Sequence, residues 1–363
     1  MTERRFTESL LFKALCIALL STLAFFLLIY FKDLLKPLAL GILFWYLIKA
    51  FNGMMEKITF RGKPLNPWIR RTVAMVVILA IGEFTVQVLV SNIRALISNY
   101  PAYQVSLGSM VEDLGHQLGL NNFGSEITDR LGELNIQGFL TGLLSSLSSM
   151  VGNLFLVIVY TIFILLEENS FSQKINLIFH AGGQAHQIRQ VIDQIYGSTN
   201  KYVVVKAWIS LLIAILSYIV LLIVDVDFAF LWALLIFIFN FIPYVGSLIS
   251  GLLPATFAVI QHGSFWPFIW IIGSVIIIHA IIGNYIEPKV MGKSLNLSPL
   301  VVLLSLAFWG TIWDLLGMLL AVPITSILLI TLAQFPSTRA WAILLTENGD
   351  IESLIVRNKP SQD

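Results

Sequence analysis

Six stretches of this chain are each long and apolar enough to cross a lipid bilayer, and that requirement constrains the fold more than any other feature. A hydrocarbon core about 30 Å thick needs roughly 20 helical residues. Residues 12–31, 34–50, 72–91, 150–166, 207–224 and 266–286 meet it. Lipid offers backbone N–H and C=O groups no partners, so such spans are helices. Asp, Glu, Lys and Arg make up only 12% of the 363 residues, where a soluble domain carries roughly 25%. So little charged surface must face something other than water. The net charge of +1 supplies no basic stripe for phosphates, which excludes nucleic acid as a partner. Cys16 is the single cysteine, so no disulfide framework is possible within one chain. Arg4, Arg5 and Lys13 precede an uncharged run from Ala14 to Phe31. That run exceeds a signal h-region of roughly 7–15 residues and ends in no small-x-small site, so it reads as the first span rather than a cleaved signal.

Lys and Arg beside the spans set orientation. Arg4, Arg5 and Lys13 lie before the first span; Lys57, Arg61, Lys63, Arg70 and Arg71 lie between the second and third. Both segments are expected in the cytoplasm. Segment 92–149 carries Arg94 and Arg130 against Glu112, Asp113, Glu126, Asp129 and Glu133, and reads as external. Segment 167–206, with Lys174, Arg189, Lys201 and Lys206, returns inside, as do Lys289 and Lys293. Both termini are then cytoplasmic and the protein is multi-pass in a cell (inner) membrane. Between the spans, 92–149 is expected to form helices along the membrane or against a neighbouring subunit, with turns near Pro101 and Asn121-Asn122. Ile188, Val191, Ile192, Ile195 and Tyr196 make one apolar helix stripe, expected at the membrane interface or a subunit contact.

Two longer apolar stretches, 228–261 and 300–335, are each broken near the middle. Asn240, Pro243 and Gly246 interrupt the first; the second breaks between Gly310 and Gly317, with Pro323 beyond. The leading half of the first, 228–241, makes roughly 21 Å of helix, too short to cross comfortably. Freed backbone groups are tolerated at membrane depth only inside protein or along a watery cavity. The first stretch follows Asp225 and Asp227 on the outside; the second follows Lys289 and Lys293 on the inside. If each returns to the side it left, the two are re-entrant and inverted, which points to a transporter's midplane site. The plain alternative is two pairs of short spanning helices.

Polar groups within apolar runs are the candidate site. Asp314 is a carboxylate at membrane depth, or one in an external loop if its hairpin spans fully. Asn240 suits a helix–helix hydrogen bond as well as a ligand contact. Glu83 in the third span, His279, and Asn284 and Glu287 before Pro288 complete the set; Glu287, near Lys289, also fits an exposed ion pair. No HExxH, GxSxG, P-loop or CxxC motif occurs, and the five histidines lack metal-ligand spacing. The expectation is no enzyme, cofactor or metal.

Three pieces of sequence, in order, resemble the autoinducer-2 exporter family of bacterial and archaeal permeases: Asn240-Phe-Ile-Pro243-Tyr-Val-Gly246, Gly283-Asn284-Tyr-Ile-Glu-Pro288-Lys-Val-Met-Gly292-Lys293-Ser294, and Pro299 to Leu304 followed by Gly317 and Ala321-Val-Pro323. Ile281 and Ile282 stand where many relatives carry Gln or Glu, and Ser298 where His is common. The resemblance implies export of small polar molecules, cation/proton antiport in some members, and a homo-oligomer, with a pentamer among the arrangements. The fold expected is an all-α polytopic membrane protein with about eight membrane helical segments, two of them broken or re-entrant hairpins. Its parts are the spans of 1–91, the external insertion 92–149, a fourth span and cytoplasmic helix in 150–206, a membrane core in 207–340 and a tail in 341–363. The function expected is a secondary exporter of a small hydrophilic solute, working between the hairpins. A cation/proton antiporter using Asp314, Glu83 or Glu287, and a scaffold that moves nothing, are the alternatives.

Overall fold

The computed structural model describes residues 2–56, 59–60, 63–64, 66–117, 136–179, 184–291 and 296–355. The expected turn at Asn121-Asn122 and the Gly292-Lys293-Ser294 piece lie outside these residues, as does the tail beyond 355. The described residues form helices and their connecting turns, with one short antiparallel pair, Thr59–Phe60 with Lys63–Pro64, and an isolated bridge between Leu297 and Thr346. In order come α1 (Thr2–Tyr30), α2 (Lys32–Met55), α3 (Pro67–Gln117), α4 (Ile136–Phe179), α5 (Gln184–Ile223), α6 (Ala229–Phe239), α7 (Val245–His262) and α8 (Trp266–Ile281). A π-helical turn (Ile282–Ile286) leads into α9 (Glu287–Met291), and α10 (Pro299–Gln334) and α11 (Arg339–Leu345) follow. Six of the described helices are long and apolar enough to cross a membrane, and Leu15–Tyr30 and Ala229–Phe239 are shorter apolar helices.

Burial within α5 shows how such a helix sits. Trp208, Leu211, Leu212, Ile215, Ile219 and Leu222 are exposed, while Thr199, Tyr202, Lys206, Ser210 and Ser217 are buried. The pattern inverts that of a surface helix in water, because here the solvent is hydrocarbon. The main core joins Ile209 and Ile213 of α5, Trp232 and Ile236 of α6, Ala255 and Phe257 of α7, and Ile271 and Val275 of α8.

Two expectations change. The third span does not stop near residue 91. α3 runs for 51 residues, about 76 Å at 1.5 Å per residue, and passes through Pro101 without a turn. Proline there removes one hydrogen bond from a helix otherwise intact on both sides. Nor is the stripe of Val191, Ile195 and Tyr196 left for a membrane surface or a second subunit. It packs inside its own chain, where Tyr196 stacks on Tyr46 of α2 at 5.7 Å. Residues 341–355, the first part of the expected cytoplasmic tail, dock on the same core. Leu345 accepts a hydrogen bond from the Ser298 amide at 2.9 Å, and Ala342, Ile351 and Leu354 are buried beside Leu297 and Leu329.

Both broken stretches are hairpins. In a continuous helix, residues seven or eight apart lie about 10–12 Å apart along the axis. Yet a Cβ built on Gly246 would stand 2.7 Å from the carbonyl carbon of Phe239, and one on Gly317 would stand 2.5 Å from that of Trp309. The chain therefore reverses between each pair. The reversals pass through positive φ at Tyr244 (63°) and Asp314 (54°), in the left-handed region that L-residues rarely adopt. The first hairpin opens at Phe228 and His262, the second at Ser298 and Phe335, and the helical rod Trp266–Met291 connects them end to end. The hairpins thus open at opposite ends of the bundle.

Because no Cβ fits at either reversal, Gly246→Ala and Gly317→Ala should each cost about 1–3 kcal/mol by overpacking. Thermal unfolding in detergent checks this against Gly53→Ala, where a Cβ meets nothing within 4 Å; equal stability of all three variants would contradict the close approach.

Candidate translocation site

The buried polar residues of α5 follow the spacing 199, 202, 206, 210, 217, so they share one face. Ser210, fully buried, accepts a hydrogen bond from Nδ2 of Asn240 at 2.9 Å. Asn240 closes α6 at the first reversal. An interhelical bond of this kind is worth about 0.6–2 kcal/mol in a membrane, and orphaning a buried polar group costs about 1–3 kcal/mol. The bond therefore fixes where the reversal sits. Two residues on, Ile242 is buried against Leu306 and Ala321. These lie eight residues before and seven after Asp314, on the two arms of the second hairpin. Phe239, Val245, Trp309 and Met318 pack around them. The first reversal is thus wedged between the arms of the second hairpin, and Gly317 and the buried Pro323 belong to the arm it presses on. Asn240, Pro243, Gly246, Gly317 and Pro323 are brought into one region.

A second polar centre lies one turn along α5. Lys206 Nζ donates to Glu287 Oε1 at 2.5 Å, with the two side chains only 6% and 18% exposed. Charge makes the bond short, but moving both ions from water offsets much of the attraction. His279 Nδ1 is 3.0 Å from the Val275 carbonyl oxygen. Its Nε2 and the Tyr202 hydroxyl are buried with no hydrogen-bond partner among the described residues. The π-helical turn makes this arrangement. Eight residues of α-helix would rotate Glu287 about 80° from His279; one residue inserted by the π turn reduces that to about 20°. Glu287 consequently faces Lys206 rather than Lys289.

The remaining candidates stand apart. Asp314 tops the second reversal, 77% exposed, and accepts from Lys36 Nζ at 2.7 Å. Trp313 Nε1 donates to the Leu28 carbonyl oxygen at 3.3 Å, so this reversal reaches the α1–α2 junction. Glu83 is exposed on α3, accepting from Gln87 Nε2 at 3.2 Å. Asn284 points outward from the π turn. Among the described residues no three His, Cys, Asp or Glu side chains gather as a metal site. Sequence reasoning missed Lys206, Ser210 and Tyr202. Lys206 was counted with a basic loop, although the repeating polar spacing along α5 signals a buried face.

Residues 15–337 match the model of the AI-2E family transporters. The chain belongs to that family. A Haemophilus influenzae protein whose name ascribes transport to it is 34% identical over 293 residues, 78% of this chain and 82% of its own. "AI-2 transport protein TqsA" of Escherichia coli K12 is 32% identical over 262 residues, 71% of this chain and 74% of its own. YhhT of the same organism, also named for transport, is 28% identical over 299 residues. This AI-2E family member is accordingly a multi-pass membrane transporter, and the scaffold reading falls away.

The buried ion pair generates a stability test. Lys206→Met leaves Glu287 without its ion-pair partner. It should cost about 3 kcal/mol, the lower end for a buried pair because Glu287 keeps some exposure. Lys206→Met with Glu287→Leu should recover most of the thermal midpoint. A double variant as unstable as the single one would show that the pair is not what the site depends on.

Proposed function

We propose that this transporter is a secondary exporter of a small hydrophilic solute of the autoinducer-2 type, with its site where the first reversal enters the second hairpin. The observation that carries the proposal is the clamp of Asn240 on Ser210 beside Ile242, wedged between Leu306 and Ala321. Broken hairpins opening to opposite ends and meeting inside protein are the arrangement alternating access needs. The Tyr202 hydroxyl and His279 Nε2, buried without partners, offer hydrogen bonds to a polyhydroxylated solute and would bind it better than they hold an empty site. The name of the E. coli relative supports the substrate class.

Coupling to protons or cations is best assigned to Glu287. Asp314 and Glu83 are exposed, whereas Glu287 is half-buried and pairs with the buried Lys206, so it alone of the three holds an ion pair inside the bundle. The end of the bundle with Arg70 and Arg71 faces the cytoplasm in this reading, and both termini lie there, in the inner membrane. Glu83 and Gln87 face outward from a span, where lipid penalises a carboxylate; this supports a homo-oligomer in which a second copy covers them.

Proteoliposomes loaded with autoinducer-2 test the proposal. Asn240→Ala should lower the initial efflux rate roughly tenfold, equivalent to about 1.4 kcal/mol. Glu287→Gln should abolish dependence on the proton gradient, and Asp314→Asn should leave the rate within about twofold. Wild-type rates from Asn240→Ala would remove the reversal from the pathway.

A further inference from the structure

A cavity of about 230 Å³ lies between α2, α3 and α4 at the basic end of the bundle, away from the hairpins. Its walls divide by chemistry. Ile48, Met75, Ile162 and Leu165 make an apolar side, and Asn52, Arg71 and Thr72 make a polar one. The charges nearby can be paired off. Lys49 donates to Glu168 at 2.6 Å, and Trp45 Nε1 donates to the other oxygen of that carboxylate at 3.1 Å. Arg70 pairs with Glu56 at 3.2 Å, while its Nε donates to Asn52 Oδ1 at 2.6 Å. Arg71 alone has neither an ion pair nor a hydrogen bond among the described residues, and its side chain is exposed. One uncompensated guanidinium therefore stands at the mouth of a cavity whose other wall continues into the exposed face of Leu166. Trp68, 72% exposed beside it, is of the type that settles at the level of lipid headgroups.

We propose that this cavity is a binding site for the headgroup of an anionic phospholipid. The phosphodiester would accept bidentate hydrogen bonds from Arg71, with the Thr72 hydroxyl as a second donor, and the first acyl carbons would lie along Leu165 and Leu166. Basic pockets between membrane helices take anionic headgroups by this chemistry. A zwitterionic lipid fits less well: its ammonium finds Glu168 already neutralised by Lys49. The bound lipid would tie α3 to α2 and α4 at one leaflet. Both Lys49 and Trp45 also touch Tyr196 of α5, so occupancy bears on the helix that carries the polar stripe.

Native mass spectrometry of the full-length protein in neutral detergent tests the site without measuring transport. Titration with phosphatidylglycerol should give a retained adduct, weakened about tenfold or more in Arg71→Gln by loss of a charged hydrogen bond. Leu165→Trp, which fills the apolar wall, should weaken it too. Lys289→Gln, removing an exposed cation elsewhere, should not. Phosphatidylcholine should bind weakly and equally to all variants, and millimolar inorganic phosphate should fail to displace phosphatidylglycerol. Undiminished binding in Arg71→Gln would overturn the proposal. Displacement by inorganic phosphate would overturn it as well, in favour of a free-phosphate site.

Discussion

Everything in this molecule answers to the need of buried backbone for partners. In hydrocarbon an unpaired N–H or C=O costs several kcal/mol, so a helix broken inside a membrane must hide its break in protein. This chain breaks two helices and hides one break with the other. The first reversal, Asn240 to Val245, enters between the arms of the second hairpin, where Ile242 meets Leu306 and Ala321. The second reaches the α1–α2 junction, where Leu28 and Lys36 receive it. Glycines 246 and 317 are required because the returning helix passes against the carbonyl of the one it came from. The same contacts that make the breaks tolerable place polar side chains in the middle of the bundle.

Much of this was legible in the sequence. Span length, interruption by Pro and Gly, and inverted entry follow from local composition, and the hairpins are where those signals placed them. What was not legible depends on partners distant in the chain. Asp314 looks like a buried carboxylate when read between Trp313 and Leu315, but the reversal near the middle of the 36-residue hairpin Pro299–Gln334 is carried out to Lys36. Lys206 looks like one more basic loop residue until Glu287, 81 positions away, is turned towards it. That turning depends on a π-helical turn over Ile282–Ile286, and nothing in the apolar run of residues 266–286 announces it. Pro101 misled for the opposite reason: a local turn signal is overridden because long helical segments continue on both sides.

The charge pair and the hairpin crossing lie on one face of α5, Lys206 one turn from Ser210. A change at either alters what the other packs against. Dry interiors have discrete arrangements rather than a continuum, so breaking the Lys206–Glu287 bond would favour a different seating of α8 on α5. In the proposed function this is how a proton would bear on a solute, since a coupling ion acts only through its differential affinity for two states.

The central claim is that transport requires the first reversal to move against the arms of the second hairpin. In a chain carrying Cys16→Ala, cysteines replacing Ile242 and Ala321 should form an oxidative cross-link, because the two side chains pack in one cluster. The measurement is autoinducer-2 efflux from proteoliposomes before oxidation, after it, and after reduction. The account predicts efflux that stops when the bridge forms and returns when it is reduced. Full efflux with the bridge intact, or no bridge under oxidation, would contradict it.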